Sequence, residues 1–443
     1  MKINYSAGKN CIIAQSVYIG KGGVINDREY STDKLIAGVI TFHLYITYIK
    51  NIMVNTNNLF MQINTLLNAL VLVLIVAAYL YLCRSRILQR FNPKTLLILF
   101  SIVVMFFFSF SLNPRLIRLE DFNKYLVFMH IRTYLVYCLP LFCVSSCLKN
   151  KDILMDKISK YSHLLFAFST IGFLFSIHTL KKFGEYSMSY GYALCFFVIV
   201  AIIKFKNQHK LMDIIEALVA FMYVVAVGSR GPILCMLVAA VCIYLFDGKF
   251  NKKKLIVIMA ILLFALICFL NIRLVAQIAY NTLKVMGIES RSLWLIVNDY
   301  TTYSPERVKI HNHLIAEINK HPYTGIGILG AEATYVESHG LYLDTMVNFG
   351  YILGTVILVL LFINLYTDIK KYNGTKYVDL LMLFAFIEFP KGFFAGGVWG
   401  DKELWMILGL LISNKMYLKI TKKECSTNNK YFIREKYGVN RII

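Results

Sequence analysis

The sequence predicts an all-α polytopic membrane protein, and three observations support this fold class. Of the 443 residues, 58% are hydrophobic and 16% are charged, whereas soluble domains are about 45 to 50% apolar and about a quarter charged. The apolar residues form long runs, and short basic clusters separate these runs. The 47 Lys and Arg outnumber the 25 Asp and Glu by 22, and basic residues placed between apolar runs indicate membrane topology, not nucleic-acid binding.

Eleven apolar runs approach the length needed to cross a bilayer core of about 30 Å, which takes about 20 helical residues. A twelfth run at residues 35–49 is shorter and contains His43, so we leave eleven or twelve helices open. The predicted spans are 65–82, 95–112, 125–147, 162–180, 188–203, 211–228, 232–246, 255–271, 340–367, 378–395 and 404–415.

The connections between these spans alternate between strongly and weakly basic stretches. The strongly basic ones are 83–94, 148–161, 204–210, 247–254, 368–377 and the tail from 413 onward. The positive-inside rule predicts a cytoplasmic location for these, so the long segment at 272–339 becomes an extracytoplasmic loop. The predicted organisation is a leader with room for the extra helix (1–60), transmembrane helices (61–271), the long loop (272–339), further transmembrane helices (340–415) and a basic cytoplasmic tail (416–443).

A short turn between two apolar runs is the first candidate site. Residues 228–232 have the sequence GSRGP and present Arg230 and Gly231. Glycine and proline favour a compact turn with free backbone amides at the start of the following helix. A guanidinium, free amides and the positive end of a helix together suit a phosphate group. The alternative is an arginine that only reaches the lipid headgroups.

The long loop supplies the second group of candidates. Residues 289–294 have the sequence ESRSLW and present Arg291, for which a solvated surface arginine is the alternative. Gly325 and Gly327 in the run HPYTGIGILG imply a sharp turn that can approach a ligand closely. His339 lies where the chain re-enters the membrane, and an imidazole there suits a general base near pH 7. A capping or interfacial histidine is the alternative for that position.

The same loop contains the pair His311 and His313, which raises the question of a metal site. No Asp, Glu or Cys near the pair has the spacing that zinc ligands show. We therefore expect no metal and no cofactor.

The order of these motifs resembles that of the O-antigen ligase and polymerase superfamily of bacterial envelope enzymes. A G-S-R-G-P turn is followed by an S-R-x-x-W segment, an H-P-x-x-G-I-G loop, and His339 with Gly350 in the next helix. The resemblance covers about residues 61–415, with specific motifs in 187–246 and 287–354. It implies an inverting membrane glycosyltransferase with a GT-C-like helical architecture, in the bacterial inner membrane with its active site on the periplasmic face.

The resemblance also implies roles for the candidate residues. Arg230 and Arg291 would bind the diphosphate of an undecaprenyl-diphosphate-linked oligosaccharide, and His339 would activate the acceptor hydroxyl. Gly231, Gly325 and Gly327 would complete the substrate site. The expected partners are this glycan and membrane lipid, with a chain-length regulator and a flippase as further candidates and no nucleic acid. Three tyrosines are candidate sugar contacts by position, with core packing as the competing role: Tyr190, Tyr192 and Tyr342.

Three function classes remain open, and a polymerase of O-antigen or capsule repeat units is preferred. A ligase that transfers the finished glycan to a lipid A core would use the same residues, but ligases typically have Asn, Ser or Gln after this histidine, where this chain has Gly340. A transporter or flippase should show internal repeats and charges near the bilayer midplane. Arg132 and Glu388 are the candidate midplane charges in the sequence.

Overall fold

The computed structural model confirms the predicted class, a helical membrane protein. Among the residues that the structure describes, five helices are long and apolar enough to cross a membrane. They are Glu29–Val54, Asn64–Cys83, Lys124–Ser146, Met188–Gln208 and Leu341–Lys371. The structure describes residues 18–20, 23–25, 27–56, 62–83, 87–112, 121–180, 188–227, 230–246, 256, 263, 267, 270–285, 291–298, 305–333, 338–393 and 395–413. Most of the predicted span 255–271, the tail 416–443 and residues 1–17 of the leader lie outside these residues.

The helices are numbered here in chain order, and a short antiparallel hairpin of β1 (Tyr18–Gly20) and β2 (Gly23–Ile25) precedes them. They are α1 (Asp27–Thr56), α2 (Asn64–Cys83), α3 (Pro93–Leu112), α4 (Asp121–Thr133), α5 (Leu139–Ser146), α6 (Asp152–Leu180), α7 (Met188–Gln208), α8 (Leu211–Val227), α9 (Arg230–Phe246), α10 (Ile272–Val285), α11 (Arg291–Val297), α12 (Pro305–Lys320), α13 (Gly330–Ala333), α14 (Leu341–Lys371), α15 (Lys376–Lys391) and α16 (402–413). A π-helical segment, Tyr134–Cys138, joins α4 to α5.

The run at 35–49 forms part of the 30-residue helix α1. Ile36, Ile40 and Leu44 on this helix are fully buried in the main core. Some of its polar side chains bond within the helix, as the Thr41 hydroxyl does to Ala37 O at 2.7 Å, and others bond to neighbouring helices, as His43 does to Tyr79 at 2.8 Å. A helix surrounded by protein can carry more polar residues than one facing lipid, which explains why the apolar signal of this run is weak.

Burial separates the central helices from the peripheral ones. On α7, residues from Tyr190 to Ala201 are buried without interruption, as expected for a helix packed on all sides. On α2 and α3, large apolar residues stay exposed, including Leu66, Val73, Leu80 and Phe107. Exposed apolar surface of this kind suits contact with lipid hydrocarbon, so α2 and α3 belong to the lipid-facing rim.

Four of the strongly basic connections lie at one end of the bundle. The alternation of strongly and weakly basic connections along the sequence predicts that they share one side of the membrane. Asp33 of α1 also accepts from the backbone N–H groups of Lys149 and Asn150 there. We call it the Asp33 end. Its ion pairs include Arg90–Asp33 at 2.5 Å, Lys206–Asp379 at 2.6 Å and Lys376–Asp156 at 2.6 Å.

The opposite end is marked by the other part of α1. Tyr48 Oη donates to Glu403 Oε1 at 2.7 Å, and Lys402 Nζ donates to Thr47 Oγ1 at 2.5 Å. Because 15 helical residues separate Tyr48 from Asp33, these contacts lie about 22 Å away along the helix. We call this the Glu403 end.

The segment 272–339 contains four helices among its described residues, α10 to α13, where the sequence analysis expects a loop. Leu314 and Ile318 of α12 are fully buried against Val347 of α14. This segment therefore packs on the bundle and contributes a small core of its own.

The helix α14 is interrupted at Gly350, whose φ of 76° is left-handed. The turn 321–327 fills the break: Ile326 N–H donates to Val347 O at 2.9 Å, and Tyr351 N–H donates to Pro322 O at 2.8 Å. These two hydrogen bonds replace helical ones that the break removes. Only glycine fits at Gly350, because a Cβ there would lie 2.6 Å from Tyr323 C.

Replacing Gly350 by Ala should destabilise the protein, since both the backbone conformation and the space oppose a side chain. Gly374 is the matched control, because its φ of 82° is also left-handed but nothing lies within 4 Å of an added Cβ. Gly374→Ala should cost about 1 kcal/mol through backbone strain, and Gly350→Ala clearly more. Thermal unfolding of the purified protein measures both variants, and equal shifts would contradict this account of the break.

Candidate functional site

The structure places the three predicted catalytic residues at the starts of helices. Arg230 begins α9 and Arg291 begins α11, and both side chains lie outside the described residues. His339 lies two residues before α14 and is half-buried. Its φ is 49°, a left-handed value that is uncommon for a residue with a side chain. Such strain is frequent at functional sites, where the surrounding structure fixes it.

The backbone at His339 lies beside the end of α15. A Cβ at Gly340 would lie 3.1 Å from Gly392 O, and a Cβ at Gly392 would lie 2.9 Å from Leu341 Cβ. Tyr342 Oη donates to Phe389 O at 2.9 Å. These contacts fix the His339 peptide against the residues that follow Phe389.

The start of α9 packs against Tyr192 of α7. A Cβ on Gly231 would lie 2.5 Å from Tyr192 Oη, so the tyrosine hydroxyl rests directly on the Gly231 backbone. The ring of Tyr192 in turn lies 5.6 Å from Lys391 Nζ, within cation–π distance. The start of α9 is therefore linked to Lys391 through Tyr192, while the His339–Gly340 peptide lies against the next residue, Gly392.

Lys391 belongs to a group of five ionisable residues with buried carboxylates and half-buried lysines, which we call the charge cluster: Glu388, Lys391, Asp401, Lys402 and Glu403. Lys391 Nζ donates to Glu388 Oε1 at 3.1 Å and to Asp401 Oδ1 at 2.5 Å. Lys402 Nζ lies 3.7 Å from Glu403 Oε1. Sequence analysis found only Glu388 here. Three consecutive charges, Asp401 to Glu403, between two apolar runs were a usable signal.

The charge cluster combines three carboxylates with two ammonium groups at the Glu403 end. Burial raises the pKa of Asp401, and the Lys391 ammonium and the Gly397 N–H oppose that shift. Asp401 Oδ2 accepts from Gly397 N–H at 3.1 Å. Buried ions persist only when paired and hydrogen-bonded, so Lys391 and Asp401 hold the turn 392–401 in one conformation.

In the described part of the chain, two sets of side chains have ligand atoms close enough together to hold a metal ion. In Glu388, Asp401 and Glu403 these atoms lie within 4.8 Å of one another, as they do in His163, Asp213 and Glu216. Lysines contact both sets: Lys391 contacts the first, and Lys204 Nζ lies 2.8 Å from Asp213 and 2.9 Å from His163 in the second. An ammonium group therefore already supplies the positive charge that each set requires.

Asn348 of α14 connects the predicted glycine turn to the turn 392–401. Its Oδ1 accepts from Leu329 N–H and from Trp399 Nε1–H, each at 2.9 Å. Its Nδ2 donates to Asp344 O at 2.6 Å, while Asp344 Oδ2 accepts from Val398 N–H at 2.6 Å. Asp344 and Asn348 are almost completely buried. From one face of α14, their hydrogen bonds join the glycine turn and the turn 392–401 to this helix.

Gly325 and Gly327 have left-handed φ values of 66° and 91°, as their predicted sharp turn requires. The close approach at Gly325 is to the backbone of α14, where an added Cβ would overlap Val347 O. The turn therefore supports α14 just beyond His339. Tyr190 is fully buried and donates to Ser169 O at 3.3 Å, which favours its packing role.

Comparisons of the chain with protein-family models, with curated proteins and with solved structures found no match.

Asn348→Leu should destabilise the protein by about 2 to 5 kcal/mol, because it leaves two buried donors without their acceptor and each costs about 1 to 3 kcal/mol. Asn364→Leu in the same helix is the control, since the Asn364 amide donates to Leu360 O of its own helix near the surface. The free energy of unfolding in a mild detergent measures both. Equal stability of the two variants would show that Asn348 does not join the turns.

Proposed function

We propose that the protein is a membrane glycosyltransferase that polymerises undecaprenyl-diphosphate-linked oligosaccharide repeat units of an O-antigen or capsular polysaccharide. The observation that carries the proposal is that Gly231 lies against Tyr192, whose ring lies beside Lys391, while Gly340 lies against the adjacent Gly392. A GT-C-like helical arrangement, with 272–339 on the outer face of the bacterial inner membrane, belongs to the same proposal.

The diphosphate would bind at the start of α9. The first amides of a helix lack helical acceptors and carry a partial positive charge, so they attract phosphate oxygens. Arg230 would add a guanidinium at this point, and Arg291 at the start of α11 would supply a second one. Loss of one such donor typically lowers a rate by about 10²-fold or more.

His339 would act as the general base. The acceptor hydroxyl oxygen forms a bond to the anomeric carbon, while the bond from that carbon to the diphosphate oxygen breaks. The bonding electrons leave with the diphosphate, and His339 accepts the hydroxyl proton. Attack from the side opposite the leaving group inverts the anomeric configuration. A positioned base contributes about 10² to 10⁴-fold.

The segment 272–339 supports the proposal by its position. Arg307 of α12 lies 3.7 Å from Met188 Sδ at the start of α7, the helix that carries Tyr192. Leu293 of α11 packs against the core that contains Tyr192 and Leu341. The Arg307 contact places α12 near the start of α7, and we propose that α11 and α12 limit the access of water to the site.

Arg230→Ala and His339→Ala should each lower chain elongation at least 10²-fold while protein level and membrane insertion stay normal. Arg273→Ala and His313→Ala are matched controls, because both residues are exposed on helices of the segment 272–339. They should keep elongation within about twofold of the wild type. Elongation is measured with purified protein and a lipid-linked repeat unit. Retained elongation in both Arg230→Ala and His339→Ala would refute the proposal that the protein is this enzyme.

A ligase differs from a polymerase in the glycans left after loss of the gene. Without a polymerase, cells retain single repeat units on the lipid A core, whereas without a ligase the core carries none. Electrophoresis of extracted envelope glycans distinguishes the two outcomes.

A transporter is the second candidate, and the charge cluster is the observation that favours it. Glu388 is 1% exposed inside the helical bundle, and buried ionisable residues often mark ion or substrate pathways in membrane proteins. Transport needs a sealed vesicle, whereas an enzyme also works in detergent micelles. Elongation in micelles would therefore favour the enzyme, and its absence there together with uptake into vesicles would favour the transporter.

A further inference from the structure

The hydroxyl of Tyr192 contributes no hydrogen bond to the described part of the bundle. Tyr192 is 9% exposed, and within the described part of the chain its Oη has no hydrogen-bond partner. Leaving a buried hydroxyl unbonded costs about 1 to 3 kcal/mol. A phenylalanine would fill the same space without that cost, so the hydroxyl calls for a ligand.

The position of this hydroxyl identifies the ligand site. Tyr192 Oη lies against Gly231, in the first turn of the 17-residue helix α9. A Cβ on residue 231 would lie 2.5 Å from the oxygen, so glycine is required for this approach. The amides of the first helical turn have no helical acceptor and point away from the helix. The hydroxyl and these amides can therefore contact one ligand.

Resting on the proposed function, we infer that Tyr192 Oη donates a hydrogen bond to a phosphate oxygen of the lipid-linked diphosphate bound at the start of α9. The backbone N–H groups of the first helical turn and the Tyr192 phenol are hydrogen-bond donors, and the guanidinium of Arg230 would add further donors under the proposed function. A ligand that satisfies several donors at once must be rich in acceptors and negatively charged. A diphosphate meets both conditions better than a neutral sugar hydroxyl does.

Lys391 holds the tyrosine ring in position. Its Nζ lies 5.6 Å from the ring centroid while it is bonded to Glu388 and Asp401. With two carboxylates already neutralising it, Lys391 is a positioning residue for Tyr192. The ring is also fixed on α7, where its neighbours Ala193 and Leu194 are fully buried.

Tyr190 provides a matched control on the same helix. Its hydroxyl donates to Ser169 O, so Tyr190→Phe removes a hydrogen bond of the folded protein. Tyr192→Phe removes a hydroxyl that has no such bond. The two variants should therefore differ in opposite directions: Tyr190→Phe lowers thermal stability and leaves ligand binding intact, whereas Tyr192→Phe weakens binding and keeps or raises thermal stability.

The test measures binding of polyprenyl diphosphate to the full chain in nanodiscs, with inorganic pyrophosphate and the matching polyprenol as separate probes. Tyr192→Phe should weaken polyprenyl diphosphate binding about tenfold or more, as expected for a hydrogen bond to a charged group, and leave polyprenol binding unchanged. A loss of pyrophosphate affinity in this variant identifies the phosphate group itself as the partner. A loss of affinity for polyprenyl diphosphate alone identifies the diphosphate of the lipid headgroup, and not free pyrophosphate, as the partner.

Two results would overturn the inference, and they differ in what else they overturn. If Arg230→Ala loses diphosphate binding but Tyr192→Phe binds like the wild type, Tyr192 is not a ligand residue and the proposed function stands. If the wild type binds no polyprenyl diphosphate, the proposed function fails together with the inference.

Discussion

The bridge of Lys391 between Glu388 and Asp401 is the interaction on which the candidate site depends. It joins the end of α15 to the turn that leads into α16. Loss of either carboxylate would leave a buried ammonium short of a partner, at a cost that far exceeds that of a surface pair. Gly340 packs on Gly392 and Tyr192 lies beside Lys391, so both candidate catalytic peptides contact residues next to this bridge.

A second constraint acts through the break in α14. Gly350 lets the turn 321–327 bond to helix carbonyls and amides that an unbroken helix would have used itself. Asn348, half a helical turn earlier, accepts hydrogen bonds from Leu329 N–H, which follows that turn, and from Trp399 Nε1–H. The geometry near His339 is therefore fixed by buried polar groups that satisfy one another, and polar networks of this kind tolerate little change.

The sequence predicted what depends on local patterns and missed what depends on distant partners. Apolar runs and basic connections predicted the helical membrane class and the gathering of Arg90, Lys206 and Lys376 at one end. The run at 35–49 looked weak because it carries polar residues, such as Thr41 and His43, that are buried against protein. Asp401 and Lys402 drew no attention, since their meaning depends on Glu388 and Tyr48 in other helices. Tyr192 was noticed only by position, and its unbonded hydroxyl could not be known without the packing around Gly231.

The central claim is that the start of α9 and the residues before α14 face one bound diphosphate lipid. Cryo-electron microscopy of the protein in nanodiscs with a polyprenyl diphosphate sugar tests this claim most directly. The account predicts diphosphate density at the first turn of α9 within hydrogen-bond distance of Arg230, with the His339 imidazole facing the sugar. Density at another place, or Arg230 and His339 side chains directed into separate surroundings, would contradict it.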